Sequence, residues 1–340
     1  MGNKLFDDIQ NGLQQKRAAV YHWVETTPEE KRLIQLGEAD EAAVEEHLHV
    51  IDTSLEHIEQ GTFGICEICH EAVDSELLQM DYTATVCLGH FSDEELRQLE
   101  GELELSQVVQ RALLPQQVPS IAGLNIAAFS RPAQIVSGDY FDFVDFKDGA
   151  HGFVMADVSG HGVSAGMLMT SLQMAFHTLV PDAHSPVEVL ERINRVYLHN
   201  INFTTFVTIL FARFDPATRV LTYANAGHNS GYLFHAAKQE ETWLHPTGPA
   251  IGLMEGFDLQ AADVRLDPGD ILLLYTDGVT EAANAQGEQF GEDLLAAVIQ
   301  ANPDATPEQL IAKVLAALKV FTDGNPLVDD VTLVVCKVSV

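Results

Sequence analysis

An α+β protein, mostly antiparallel sheet behind a helical N-terminal part, is what these 340 residues predict. Three observations carry that reading. After Pro119, runs rich in β-branched and aromatic residues recur at short intervals. Gaps such as those in RVLTYANAGHNSGYLFHA are too short for crossover helices, so neighbouring strands run antiparallel. Before Leu114, by contrast, apolar residues recur at three- and four-residue spacing, the period of a helix.

From Lys4 to about Gln60, Leu33, Leu36, Val44, Leu48, Ile51, Leu55 and Ile58 repeat at that period, predicting a helical hairpin or short bundle. Thr27-Pro28 with Glu30 reads as a helix start, and the chain breaks near Thr26 to Pro28. Residues 61–91 change to glycine, cysteine and short apolar pieces. Asp93 to Leu114 is helical again until Pro115 stops it, with an apolar stripe (Leu103, Leu105, Val108, Val109) suited to a connector or a dimer seam. Beyond it, LNIAAFS, FDFVDF, HGFVMADV, TFVTILFARF, RVLTYAN, GYLFHA, the segment around Val264, ILLLYT and VTLVVCKVSV read as strands. Residues 161–180, 186–200, 291–300 and 307–321 read as helices.

The formal net charge of -32 repels phosphate backbones and anionic lipid and favours divalent cations or basic protein surfaces. Direct nucleic-acid and membrane binding are therefore not expected. ILLLYT falls far short of a membrane span, and MGNKLFDD has neither a signal-peptide apolar region nor a myristoylation pattern. A cytoplasmic location is expected.

Cys66 and Cys69 form a C-x-x-C knuckle, and after 17 intervening residues Cys87 and His90 form a C-x-x-H. Four soft ligands at this spacing suit a tetrahedral structural Zn2+, whereas a redox pair leaves the second knuckle unexplained and a cytoplasmic chain disfavours a disulfide. Cys336, in an apolar terminal strand, reads as a small core residue. The helix running into IEQGTFGICEICHEAV and then ATVCLGH resembles the DksA/TraR-type zinc finger, with His90 where that family usually has its last cysteine. The resemblance implies a finger over residues 61–91.

HGFVMADV is an apolar strand that ends on Asp157, and a lone carboxylate there is costly without a partner. The pattern repeats: Asp139 follows Ser137-Gly138, Asp277 ends ILLLYT, and Asp329 and Asp330 open the last strand. Carboxylates at the rims of adjacent strands are stable together only with divalent cations between them, and hard oxygen ligands select Mg2+ or Mn2+. Two such ions suit phosphate-ester hydrolysis. Glycines after Asp157 and Asp277 permit close backbone approach.

The ordered set GDYFDF, ADVSGHG, NAGHN, YTDGVTEA and DDVTLVV resembles the SpoIIE/RsbU-like branch of the metal-dependent PPM protein serine/threonine phosphatases, over about residues 105–340. That resemblance implies an αββα sandwich of two antiparallel sheets flanked by helices. It implies that Asp157 bridges two Mn2+ or Mg2+ ions, that Asp139 and the backbone carbonyl of Val158 hold one, and that Asp277 and Asp329 hold the other. Asp157 and Asp277 are then the principal catalytic positions, with Asp330 supporting Asp329. Water activated by the ions attacks phosphorus in line, without a phosphoenzyme. Of the groups that eukaryotic members use, Arg131 is a weak counterpart of the phosphate-binding arginine, and His161 lies one insertion away from the proton donor. His228 reads as a loop-shaping residue.

The expected organisation is a helical hairpin plus zinc finger over 1–92, a connector helix over 93–118 and a phosphatase domain over 119–340. The expected substrate is a phosphorylated anti-anti-sigma (STAS) protein of a partner-switching pathway, with the zinc module as a sensory or dimerisation unit and a homodimer as the assembly. The rival expectation is a transcription regulator that binds RNA polymerase through the finger and keeps the phosphatase fold as scaffold.

Overall fold

The computed structural model describes residues 10, 13–14, 17–18, 21, 40–73, 78, 84–133, 135–159, 163–200, 206–253, 258–325 and 329–339. The chain divides into two compact units, Met1–Glu100 and Gly101–Val340.

In the first unit, helix α1 (Asp40–Glu59) buries Ile51 and Leu55 against Leu13. Gly61, at φ 70°, turns the chain out of the helix, a conformation that costs glycine little. The finger follows, with Ile65 bridged to Ala72 and a small core of Cys66, Val73 and Leu78. Leu33, Leu36, Thr27 and Pro28 lie outside the described residues. Helix α2 (Asp93–Leu113) ends just before Pro115 and contributes residues to both units.

The second unit holds two five-stranded sheets. Strands β1 (Leu124–Arg131), β10 (Val331–Val338), β9 (Ile271–Tyr275), β6 (Gly231–His235) and β7 (Glu240–Leu244) form one, in that order. Strands β2 (Asp139–Asp145), β3 (His151–Val158), β4 (Val207–Asp215), β5 (Val220–Ala226) and β8 (Ala262–Arg265) form the other. Every strand pairing within them is antiparallel, as the short gaps require.

The period of two assigns each strand residue to a layer. Phe153 and Met155 enter the core between the sheets, while Val154, Ala156 and Val158 face the layer of α3 (Val163–Leu179) and α4 (Pro186–Asn200). On the far side Ile271, Leu273 and Tyr275 meet α6 (Gly291–Gln300) and α7 (Pro307–Phe321), while Leu272 and Leu274 turn to the inter-sheet core. β9 is therefore buried along its whole length, which is why it reads as an unbroken apolar run. The result is the αββα sandwich that the sequence led us to expect.

β7 is absent from the sequence reading. Its residues, EETWL, are polar at the start, and it lies at a sheet edge where apolar alternation is weak. A four-residue helix, α5 (Asp277–Thr280), also escapes a period-based reading, being barely one turn long. Cys336 is 1% exposed within the inter-sheet core, and burial pushes its thiol above the usual range.

Candidate metal centres and phosphatase site

The two ligand sets lie one in each unit. In the first, the ligand atoms of Cys66, Cys69, Cys87 and His90 all lie within 4.8 Å of one another. Local turns bring them together: the His70 N–H bonds to the Cys66 carbonyl at 2.8 Å, the Cys66 N–H to the Glu71 carbonyl at 2.8 Å, and a 3-10 turn over Leu88–His90 carries the last ligand. Cys69 and Cys87 sulfurs are 3.7 Å apart. That exceeds a disulfide bond and matches two sulfurs at the tetrahedral angle on one zinc, about 3.8 Å for a Zn–S bond of about 2.3 Å. Burial resists ionisation of Cys66, but backbone N–H donors from Cys69, Cys87 and Ile68 outweigh it and lower the thiol to about 6. Burial and the neighbouring Cys66 and Cys69 sulfurs push Cys87 up to about 12. Such a crowd of thiols fits a soft cation that would hold all of them as thiolates.

In the second unit, Asp139 opens β2 directly opposite Asp157 on β3. Asp157 is in turn paired with Thr208 on β4. From the other sheet, Thr276 follows the end of β9 and immediately precedes Asp277, and Thr332 on β10 follows Asp329 and Asp330. The sandwich thus delivers all four sequence-nominated aspartates to one end, from both sheets. Val158 is fully buried, and its N–H reaches the Gly138 carbonyl at 3.3 Å.

Asp139 is 2% exposed and is held across the gap between the sheets. The hydroxyls of Thr332 and Thr276 donate to its Oδ2 at 2.6 and 2.7 Å. Burial, then the charge of Asp157, raises its carboxyl well above the usual range, with the Thr332 hydrogen bond opposing. Burial raises Asp157 to about 7, helped by the charges of Asp277, Asp329, Asp330 and Glu281. Asp277 rises to about 6 through burial, then through Asp329 and Glu281. The charge of Asp157 thus bears on Asp139, that of Asp277 on Asp157, and that of Asp329 on both Asp157 and Asp277, an arrangement that divalent cations would relieve.

Asp330 has a different task. Its carboxylate accepts from the Ala133 N–H at 2.7 Å, the Ser137 hydroxyl at 2.7 Å and the Gly138 N–H at 2.8 Å, pinning the loop that leads into Asp139. Ser137 adds its hydroxyl to that clasp. The glycine after Asp277 is required by contact: a Cβ on Gly278 would lie 2.0 Å from the Asp330 carbonyl oxygen. The glycines after Asp157, Gly160 and Gly162, lie outside the described residues, as does His161.

His228 shapes its loop and also ties the two sheets together. Its Nε2 donates to the Tyr275 carbonyl at 3.1 Å, which fixes the tautomer, so its Nδ1 accepts from the Thr208 hydroxyl at 2.8 Å. It is 2% exposed, and burial lowers its pKa to about 4, so it is neutral near pH 7.

Several contributors carry no sequence signal of their own. Thr276 and Thr332 look like ordinary strand residues, and Glu281 like a surface acid. Gln110 of α2 is 6% exposed and grips Ser137 with both amide atoms, donating to its carbonyl at 2.6 Å and accepting from its N–H at 2.9 Å. Leu105, Val108 and Val109 of the apolar stripe are instead exposed. Arg131 does not reach the carboxylate face. Ser130 is paired with Thr332, whereas Ala127 and Phe129 pack in the α6 and α7 layer, so strand alternation sends Arg131 to that side of the sheet.

Comparison with known proteins agrees with this geometry. Residues 147–339 match the family described as Stage II sporulation protein E (SpoIIE). The chain is 31% identical over 241 residues to phosphoserine phosphatase RsbU of Bacillus subtilis, covering 71% of each. It is 27% identical over 234 residues to phosphoserine phosphatase RsbP of the same organism, covering 67% of this chain and 56% of RsbP. Among solved structures, the RsbU and RsbW domains of a Mycobacterium tuberculosis protein superpose with a TM-score of 0.56 at 28% identity, over 67% of this chain and 63% of that one. The SiaA-PP2C domain of Pseudomonas aeruginosa shares the fold with a TM-score of 0.62 at 22% identity, over 71% of this chain and 98% of that one. With more than half of its length matched by one family and its αββα sandwich shared with these structures, the chain belongs to the SpoIIE family of PPM-type phosphatases.

Proposed function

We propose that this protein is a metal-dependent phosphatase of phosphoserine and phosphothreonine residues, acting on a phosphorylated protein of a partner-switching pathway. The observation that carries the reading is the run of like-charge effects, across two sheets, of Asp157 on Asp139, of Asp277 on Asp157, and of Asp329 on Asp157 and Asp277. The relatives RsbU and RsbP are phosphoserine phosphatases, which supports the reaction, and the proposal extends to an anti-anti-sigma (STAS) protein as the substrate.

In this reading Asp157 would help to hold two Mn2+ or Mg2+ ions. Asp139 and the Val158 carbonyl serve one ion, and Asp277 and Asp329 the other. When bound, such ions would supply acidified water and charge neutralisation for phosphate-ester hydrolysis. The protein's own part is placement. Thr276 and Thr332 occupy one oxygen of Asp139 and so orient the carboxylate, Asp330 fixes the loop before it, and neutral His228 holds β4 against β9 without adding charge.

Cys66, Cys69, Cys87 and His90 hold a structural Zn2+ in the same proposal, and residues 1–92 act as a sensory or dimerisation module joined through 93–118 to the phosphatase domain at 119–340. The exposed Leu105, Val108 and Val109 suit a homodimer seam. A purely scaffolding role beside RNA polymerase would leave the carboxylate crowding without a purpose. Asp157→Asn or Asp277→Asn should abolish Mn2+-dependent dephosphorylation of a phosphoserine protein, by about 10²-fold or more. Full activity in either variant would end the proposal.

A further inference from the structure

Beside the carboxylate end, on the other face of the same sheet, lies a cavity of about 350 Å3 between the end of β1 and the last turns of α7. Arg131 and Lys319 line it, with Thr322, Asn325, Leu315 and Leu318. Both cations are exposed, and no carboxylate among the described residues pairs with either. Lys147, Arg192, Arg213 and Arg265 are paired with aspartate or glutamate, whereas Arg219, Lys238 and Lys313, like Arg131 and Lys319, have no carboxylate partner among the described residues. In a chain with 50 acidic and 18 basic side chains, two uncommitted cations in one cavity stand out.

The C-terminal end of α7 carries about half a negative charge, which Lys319 in its last turn offsets. Most of the charge of Arg131 and part of that of Lys319 remain for an occupant. Asn325 adds an amide and Leu315 and Leu318 add apolar surface, while the Thr322 hydroxyl is already donated to the Asn325 carbonyl at 3.5 Å.

Its place relative to the site defines the occupant. Arg131 is opposite Val331, two residues beyond Asp329, which puts their backbones within about 10 Å. Strand alternation keeps its guanidinium off the carboxylate face, so it does not hold the reacting phosphate. An extended peptide advances about 3.3 Å per residue. A side chain two to four residues from a phosphoserine at the carboxylates therefore reaches the cavity.

We propose that this cavity is a specificity subsite that binds a carboxylate side chain of the phosphoprotein substrate, two to four residues from its phosphoserine. The inference rests on the phosphatase reading above. It gives Arg131 a substrate contact distinct from the reacting phosphate, and it lets an acidic enzyme recognise an acidic partner against its own net charge.

The test compares two synthetic phosphoserine peptides that differ only in carrying Glu or Gln at those flanking positions. With Mn2+ at low salt, the full-length protein should favour the Glu peptide by about fivefold to tenfold in kcat/KM. In the double variant Arg131→Ala, Lys319→Ala that ratio should fall to near one, and high salt should shrink it in the parent protein. The ratio is taken within each variant, so a general loss of activity or folded protein cancels. No preference in the parent protein, or a preference unchanged in the double variant, overturns the subsite. Hydrolysis of p-nitrophenyl phosphate, which has no flanking carboxylate, tests the phosphatase reading separately. Turnover of it alongside either negative result places the failure in the subsite alone.

Discussion

Cys66, Cys69, Cys87 and His90 fall within residues 66–90, whereas Asp139, Asp157, Asp277 and Asp329 are spread over residues 139–329 and come from two sheets. The first set is assembled by tight turns around a small core, and its ligand atoms lie within 4.8 Å of one another. The second is assembled by a large sandwich that braces its carboxylates with hydroxyls, a clasping aspartate and a buried histidine. The contrast teaches where an ion's binding energy goes. A locally encoded site with little core needs its ion in order to fold, whereas a site built on a packed sandwich is in place beforehand and uses its ions for chemistry.

The largest test of that contrast is metal removal. Stripping a bound zinc from the finger should abolish hydrogen-exchange protection over residues 61–91, since structural zinc is worth roughly 10–16 kcal/mol in small fingers. Residues of β3, β4 and β9 should keep their protection in the same sample. Protection of the finger that survives complete chelation would remove the distinction.

Next in size is the close contact at Gly278. A Cβ there meets the Asp330 carbonyl oxygen at 2.0 Å and its carbon at 3.0 Å, both backbone atoms that cannot step aside. Gly278→Ala should destabilise the second unit by about 3 kcal/mol in urea unfolding. Gly101→Ala, on α2 with open space around it, should stabilise by about 0.5–1 kcal/mol. Equal effects would show that the backbone at Asp330 yields.

His228 supplies a pH signature of the braced site. Its folded pKa, about 4, lies below the ordinary 6.5, so the unfolded chain takes up the proton first. The stability it contributes is complete above pH 6.5 and is lost as pH falls towards 4, by about 3 kcal/mol in all. Unfolding curves for the parent protein and His228→Gln should therefore converge with acidification across that window. Parallel pH profiles would mean that the histidine is not held neutral by burial.

A smaller effect is expected at Thr332→Val, which leaves Asp139 with one of its two hydroxyl donors. A loss of about 1–2 kcal/mol in stability should accompany weaker Mn2+ binding by calorimetry. Unchanged Mn2+ affinity would separate the brace from the ion site.

How far the sequence could be read follows the same division. The gathering of Cys66, Cys69, Cys87 and His90 was legible because these residues are neighbours in sequence and spacing alone reports them. The carboxylates were legible because each stands at one end of an apolar strand where an acid is out of place, as Asp157 does after Val154, Met155 and Ala156. Their supports were not. Thr276 and Thr332 acquire meaning only when β9 and β10 pair with each other and face β2, and Gln110 only when α2 presents it to Ser137. β7 was missed because an edge strand with a polar first half shows little alternation, and the face to which Arg131 points depends on a register that no motif records.

The most direct single measurement is hydrolysis of p-nitrophenyl phosphate and of a phosphoserine protein by the full-length chain, with Mn2+, with Mg2+ and with chelator. Turnover of both substrates that requires a divalent cation and disappears on chelation is the expected result. Turnover that persists in chelator, or none with either ion, would contradict a phosphatase site built from these four aspartates.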